Sequence, residues 1–345
     1  MGRETWDLRP ETLFALREAI ARAGEAFAEF RSGTGAGAAS PPWDAVVLTC
    51  ATESQAVAAG EELARRRALG LFPPRCLLLP LPDPPPGPLA ALLPGAPVWG
   101  RPTPSSPPGQ PAPGRPTPSS PPGRAGSGGA TMLALEALAG RWPEGLSGRR
   151  VLLIHSGGES QRLPAYAALG KIFAPLPVLL PQAPGSAIFD WLYLLASALP
   201  GAPGEVTLLA GDVLPVFDPL RLPPLAGGPF AVRGVGQPVP PEVGRRFGVY
   251  LPDPDGGARR ILQKPSLEEL RAAGVLQGGE GSGEDGRGAE VVVDTGIVSL
   301  GPEAVGALLG SAGDLRGEPW DLYRDWLPLL AREPGAPPPG STGRA

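Results

Sequence analysis

Residues 45–50, Ala45-Val46-Val47-Leu48-Thr49-Cys50, make a short, nearly continuous apolar run, the pattern of a strand buried on both faces. A helical pattern follows over 53–69, and Arg75-Cys76-Leu77-Leu78-Leu79 reads as a second strand. Strand, helix and strand in this order form a βαβ unit, which calls for a parallel sheet and an α/β fold. The alternation resumes downstream. Helix signals cover 130–140 and 186–198, and strand signals cover Val151–Ile154 and Val206–Ala210. Phe247–Leu251 and Val291–Val293 read as further strands, and helices at 303–310 and 319–332 close the chain. The expected architecture is a mixed sheet flanked by helices. Upstream, residues 11–30 read as an amphipathic helix with Leu13, Leu16, Ile20, Ala23 and Phe27 on one stripe.

The chain has 345 residues, enough for one large domain or two modest ones. It carries 50 glycines and 49 prolines, so part of it must be loop. Residues 83–124 repeat Arg-Pro-Thr-Pro-Ser-Ser-Pro-Pro-Gly at 101–109 and 115–123, a composition that cannot bury a core and reads as a solvated insertion. Residues 277–289 read as a second, flexible loop. The expected organisation is an N-terminal helix and linker over 1–40, one domain over 43–332 with those two excursions, and a disordered tail over 333–345. A net charge of −4 supplies no sequence-wide basic field for nucleic acid. Cys50 and Cys76 make neither a disulfide framework nor a zinc cluster, and one histidine, His155, rules out a multi-histidine metal site. The first residues lack an apolar signal core, and proline or charge breaks each apolar run, so a soluble cytoplasmic protein without a membrane partner is expected.

With glycine so frequent, glycine pairs arise by chance, and a motif must stand on its other residues. The densest segment is His155-Ser156-Gly157-Gly158-Glu159-Ser160-Gln161-Arg162-Leu163-Pro164, followed by Gly170-Lys171. It starts where a buried strand ends, the usual edge of a ligand crevice in an α/β sheet. Small residues let backbone N–H groups approach a phosphate, and Arg162 and Lys171 add positive charge. The residues alone also fit a glycine-rich turn with two surface bases. Only two of the 30 basic residues are lysines, Lys171 and Lys264, and each falls in a candidate phosphate segment. Where arginine serves almost everywhere, a compact ammonium marks a different requirement. Asp212, in Ala210-Gly211-Asp212, follows a strand into the same crevice and suits Mg²⁺, which takes one or two carboxylates plus substrate phosphates; an Asp-capped turn is the alternative. Asp294, in Val293-Asp294-Thr295-Gly296-Ile297, is read as a second acidic strand end, with an ordinary turn as the alternative. His155 reads as a structural strand-end histidine.

Taken in order, Gly-Gly-x-x-x-Arg-Leu-Pro, Gly-Lys, Gly-Asp, Phe-Gly-Val, Gln-Lys-Pro and Asp-Thr-Gly-Ile resemble the sugar-nucleotide pyrophosphorylases. Residues 151–177 and 206–218 are similar to the guanylyltransferase domain of the fucokinase/fucose-1-phosphate guanylyltransferases, and Gly126-Ser127-Gly128-Gly129-Ala130-Thr131 resembles a second signature of that family. The resemblance covers roughly 43–332 outside the proline insertion. Ser160-Gln161 replaces the usual Gly-Thr, and Asp294 stands where many relatives carry Asn. No kinase signature follows, so phosphorylation of the sugar is not expected.

The resemblance implies a Rossmann-like nucleotidyltransferase fold and transfer of a guanylyl group from GTP to L-fucose 1-phosphate. A sugar 1-phosphate is already anionic at pH 7, so alignment and charge neutralisation suffice and no general base is needed. Arg162, Lys171 and Asp212 are the implied catalytic residues, and Gly128, Gly129, Gly157, Gly158 and Ser160 the nucleotide contacts. Lys264, Asp294 and Gly296 would hold the sugar phosphate, and Asp212 and Asp294 would hold Mg²⁺. A pyrophosphorylase for another sugar 1-phosphate, and a catalytically silent module of the same family, remain alternatives.

Overall fold

The computed structural model describes residues 14, 17–22, 24–25, 27–28, 43–83, 126–156, 164–176, 179–180, 185–219, 222, 232–252, 257–276 and 290–311. Its elements run β1 (Ala45–Cys50), α1 (Glu53–Ala68), β2 (Leu77–Pro82), α2 (Gly126–Arg141), β3 (Val151–His155), α3 (Ile188–Ala198), β4 (Val206–Ala210) and β5 (Val232–Val239). They continue with α4 (Pro241–Gly244), β6 (Gly248–Pro252), β7 (Ala258–Gln263), α5 (Leu267–Ala272), β8 (Val291–Leu300) and α6 (Pro302–Ser311). The strands join one mixed sheet in the order β2-β1-β3-β4-β8-β6-β7, with β5 paired to β8. The expected α/β class is what forms. Packing divides the chain into two compact units: one holds Met1–Pro82, Trp142–Arg233 and Ser299–Val305, the other Asp83–Arg141, Gly234–Val298 and Gly306–Ala345.

In the first unit β2, β1, β3 and β4 are parallel, with Ala45 opposite Leu77 and Val151, and Val151 opposite Val206. Every residue of β1 is buried, as are the first four of β3 and of β4. Their nearly unbroken apolar runs follow from this: both faces of a parallel sheet are covered. Pairing of β2 starts at Leu77, later than expected, because the Cys76 N–H closes a turn onto the Pro73 carbonyl. As the edge strand, β2 tolerates Pro80 and Pro82.

Helix α1 begins at Thr52, whose hydroxyl accepts the Gln55 N–H at 3.2 Å. Glu53 in its first turn and Arg65, Arg66 and Arg67 in its last suit the helix dipole. Ala56, Ala59, Leu63 and Arg66 form its buried face. Helix α3 is buried nearly all round, with Phe189 and Tyr193 in an aromatic cluster with Phe72 and Phe173. The described positions between 14 and 28 are helical, and Phe27 packs edge-on against Tyr193 at 5.9 Å, in line with the expected stripe.

In the second unit β6 pairs antiparallel with β7 and with β8. Val249, Leu270, Val291 and Val293 make one small buried cluster there. Three readings change here. Helix α2 starts at Gly126, ahead of the helix signal at 130–140, because Gly128 to Leu135 are all buried and burial overrides the weak helix propensity of the glycines. Asp294 lies inside the ten-residue β8 instead of at a strand end. Strands β5 and β7 have no strong apolar signature and were not foreseen. The insertion beyond Asp83, residues 277–289, the 319–332 helix and the 333–345 tail lie outside the described residues.

Candidate functional site

In the first unit the C-terminal ends of β1, β3 and β4 meet. The Ser156 N–H and hydroxyl both reach the Thr49 carbonyl, at 3.1 and 2.6 Å, and the Gly211 N–H reaches the His155 carbonyl at 2.8 Å. A Cβ on Gly211 would lie 2.8 Å from that carbonyl oxygen and 3.1 Å from Ser156 Cα, so only glycine lets the β4 exit lie flat on the β3 exit. Asp212 follows directly. Its carboxylate lies 3.3 Å from Lys171 Nζ, with the lysine side chain 27% and the aspartate 56% exposed. The structure thus brings together two residues that were singled out separately.

Lys171 sits on a single 3₁₀ turn, Lys171–Phe173, entered through Gly170 at φ +89°. Two buried side chains hold this region. Gln55 accepts the Ala51 N–H at 3.0 Å and donates to the Ala167 carbonyl at 2.6 Å, tying the β1 exit to the turn before Lys171. Arg66 donates to both Asp190 oxygens, at 2.8 and 2.9 Å, and its guanidinium lies 5.0 Å from the Phe173 ring centroid and 5.5 Å from that of Phe189. Burial works against the Arg66 charge, but the Asp190 and Glu62 carboxylates outweigh it and raise its pKa. Asp190 also accepts the Ala187 N–H at 3.0 Å, at the start of α3. The lysine turn is therefore clamped from behind by an ion pair. His155 shares a 3.0 Å hydrogen bond with Thr49 through Nδ1, and desolvation lowers its pKa to about 4. A strand-end histidine with a structural hydrogen bond is what the sequence led us to expect. Arg162, Gly157, Gly158 and Ser160 lie outside the described residues.

The second unit holds the other group. Gly248 pairs with Gln263, and Val249 with Val293, which sets Asp294 beside Gly248. The Tyr250 hydroxyl donates to Asp294 Oδ1 at 2.7 Å. Burial and the adjacent carboxylate push the Tyr250 phenol far above its ordinary value, so it stays a donor. A Cβ on Gly234 would overlap the Tyr250 hydroxyl, and one on Gly236 would overlap Val292, so the β5 glycines make room for that face. Gly296 takes φ +75° inside β8, next to Thr295, whose hydroxyl donates to the Val235 carbonyl at 2.7 Å. Gly128 and Gly129 are buried in α2.

Lys264 has φ +47°, the only positive φ of a non-glycine residue among those described. Its N–H donates to the Phe247 carbonyl at 2.9 Å. It borders a depression of about 380 Å³ together with Arg245, Arg246 and the start of α5. There Ser266 and Glu269 cap each other, the Ser266 N–H donating to the carboxylate at 2.7 Å and the Glu269 N–H to the hydroxyl at 3.1 Å. Tyr250, Arg245 and Arg246 were missed from the sequence. The neighbouring Phe-Gly-Val and Gln-Lys-Pro segments were the available signal.

A family model described as the fucose pyrophosphorylase domain matches residues 143–333. The bifunctional fucokinase/GDP-fucose pyrophosphorylase of Arabidopsis thaliana is 27% identical over 75% of this chain and 23% of its own. The human fucose-1-phosphate guanylyltransferase is 30% identical over 41% of this chain and 25% of its own. The L-fucokinase/L-fucose-1-P guanylyltransferase of Bacteroides fragilis is 31% identical over 60% of this chain and 22% of its own. The chain thus spans about a quarter of the length of each of these relatives.

Proposed function

Because this chain belongs to the fucose pyrophosphorylase domain family, we propose that it transfers a guanylyl group from GTP to L-fucose 1-phosphate, releasing pyrophosphate. The observation that carries the reading is the Lys171–Asp212 pair at the C-terminal end of the parallel strands, where α/β sheets bind ligands. A phosphate oxygen of the sugar 1-phosphate attacks the α-phosphorus of GTP, and the bond from that phosphorus to the bridging oxygen of pyrophosphate breaks. The nucleophile is already ionised, so no side chain has to take a proton.

Lys171, with Arg162 in the segment that follows β3 in the sequence, neutralises charge on the triphosphate and the departing pyrophosphate. Gly157, Gly158 and Ser160 in the same segment of sequence, and Gly128 and Gly129, are the residues assigned to nucleotide approach. Lys264, Asp294 and Gly296 are assigned to the sugar phosphate. Among the described residues no group of three or more His, Cys, Asp or Glu side chains converges, so no all-protein metal cage exists there. The half-exposed Asp212 suits a cation that takes one carboxylate and draws its other ligands from water and phosphate oxygens. Mg²⁺ held there would supply charge neutralisation on the phosphates; Asp294 contacts either the sugar or the cation.

None of the helices among the described residues is long and apolar enough to cross a membrane. With Cys50 and Cys76 both buried as free thiols, a reducing cytoplasmic setting fits. The test is pyrophosphate release by the purified chain with Mg²⁺, each of the four common nucleoside triphosphates and a panel of sugar 1-phosphates. GTP with L-fucose 1-phosphate should give the largest kcat/KM. Release with no pair would overturn the reading.

A further inference from the structure

We propose that Arg245 and Arg246 join Lys264 in clamping a dianionic phosphate monoester, the phosphate of the sugar 1-phosphate, in the depression they border. This rests on the proposed guanylyl transfer and adds two residues to it.

Three observations on one unit support the assignment. First, the cations converge. The turn that follows α4 exposes Arg245 and Arg246 on consecutive positions, and Lys264 opens onto the same depression of about 380 Å³. Among the described residues none of the three makes an ion pair, whereas Arg65, Arg66 and Arg149 each meet a carboxylate. Two acids, Glu242 and Glu269, also line the depression, the latter accepting the Ser266 N–H in the capping box, so three cations against two carboxylates leave it net positive. Second, Lys264 is held in a costly backbone conformation. At φ +47° it sits in the left-handed region, and the following Pro265 ordinarily confines its predecessor to extended backbone. Its N–H bond to the Phe247 carbonyl and the buried Pro265 maintain that strain, which aims a compact charge beside two guanidinium forks. Third, the location suits a phosphate attached to a sugar. Phe247 precedes Gly248 and Lys264 follows its partner Gln263, and Gly248 lies between Gln263 on one side and Asp294 on the other. A phosphate bound at the depression would leave its sugar beside Gly248, where Asp294 and Tyr250 offer hydrogen bonds.

The chemistry separates the roles. Guanidinium forks bind two phosphate oxygens at once, while the ammonium acts as a point charge. Arginine to lysine at 245 or 246 should therefore lose part of the binding, and arginine to glutamine more.

The test uses the full chain with Arg245→Gln, Arg246→Gln, Arg245→Lys and an exposed first-unit control, Arg75→Gln. Inorganic phosphate affinity is measured by ³¹P line broadening, and KM for L-fucose 1-phosphate and for GTP by pyrophosphate release. Each glutamine variant should weaken phosphate and raise the sugar-phosphate KM about tenfold, with the GTP KM within twofold. Arg245→Lys should fall between, and Arg75→Gln should match wild type. Phosphate affinity and sugar-phosphate KM both within twofold of wild type in the two glutamine variants would overturn the clamp and leave guanylyl transfer standing. So would a shift confined to the GTP KM. If the chain releases no pyrophosphate yet the variants still weaken phosphate about tenfold, the clamp stands and the proposed activity falls. Circular dichroism of each variant establishes that it folds, and the lysine variant carries the comparison where a glutamine variant does not.

Discussion

Lys171 Nζ lies 3.3 Å from Asp212 Oδ2, although 41 residues separate the two in the chain. The pair stands at the exit of two adjacent parallel strands, and both side chains keep access to solvent. An exposed pair of this kind contributes only about 0–1 kcal/mol to stability. Its value lies in what the two charges do for a phosphate ligand.

Asp212→Asn should therefore lower kcat about 100-fold or more while moving the melting temperature little. Lys171→Ala should depress kcat and raise the GTP KM, and Lys171→Arg should not restore either. Steady-state kinetics on both substrates, with thermal melts of the same preparations, decides this. Wild-type turnover in Asp212→Asn removes that residue from the site.

Lys264 separates stability from activity in the opposite way. A non-glycine residue in the left-handed region costs about 1–2 kcal/mol, and glycine avoids that cost while losing some chain entropy. Lys264→Gly should be as stable as wild type or more so by up to about 1 kcal/mol, yet its sugar-phosphate KM should rise about tenfold or more. Urea titration and kinetics on one variant measure both. A Lys264→Gly protein that is less stable than Lys264→Ala would show that the conformation carries no strain.

Arg66 and Asp190 are 3% and 0% exposed. Removing one charge leaves its partner buried and uncompensated, so Arg66→Met or Asp190→Asn should each cost about 3–5 kcal/mol. Replacing both with apolar residues of similar volume should cost much less than the sum. Because Arg66 stacks on Phe173, variants that still fold should also lower kcat through the Lys171 turn. Equal and additive losses in a double-mutant cycle would contradict a coupled pair.

His155 gives a pH signature. Desolvation lowers its folded pKa to about 4, against about 6.5 in the unfolded chain, so the unfolded state binds the extra proton between these values. Its contribution is fully present above pH 6.5 and is lost as pH falls toward 4, by up to about 3 kcal/mol. Urea midpoints across pH 4–7 should show that slope, and His155→Gln should flatten it. An unchanged slope in the variant would assign the acid sensitivity to other groups.

The runs 45–50, 151–154 and 206–210 were legible as strands because a parallel sheet covered on both faces demands nearly continuous apolar residues. The roles of Lys171 and Asp212 were legible as residue types: one of two lysines among 30 bases, and an acid directly after an apolar run. Their contact was not, because a 41-residue separation closes only when the β3 and β4 exits lie side by side. Strand β5, Val-Arg-Gly-Val-Gly-Gln-Pro-Val, reads as a turn-prone segment, yet its glycines are what lets Tyr250 and Val292 lie against it. Gly126–Thr131 has the composition of a loop and is helical because it is buried. Local composition thus determined the fold class and the charged residue types. Tertiary packing alone decided which charges meet, because strand pairing and the room left by glycine depend on neighbours distant in the chain.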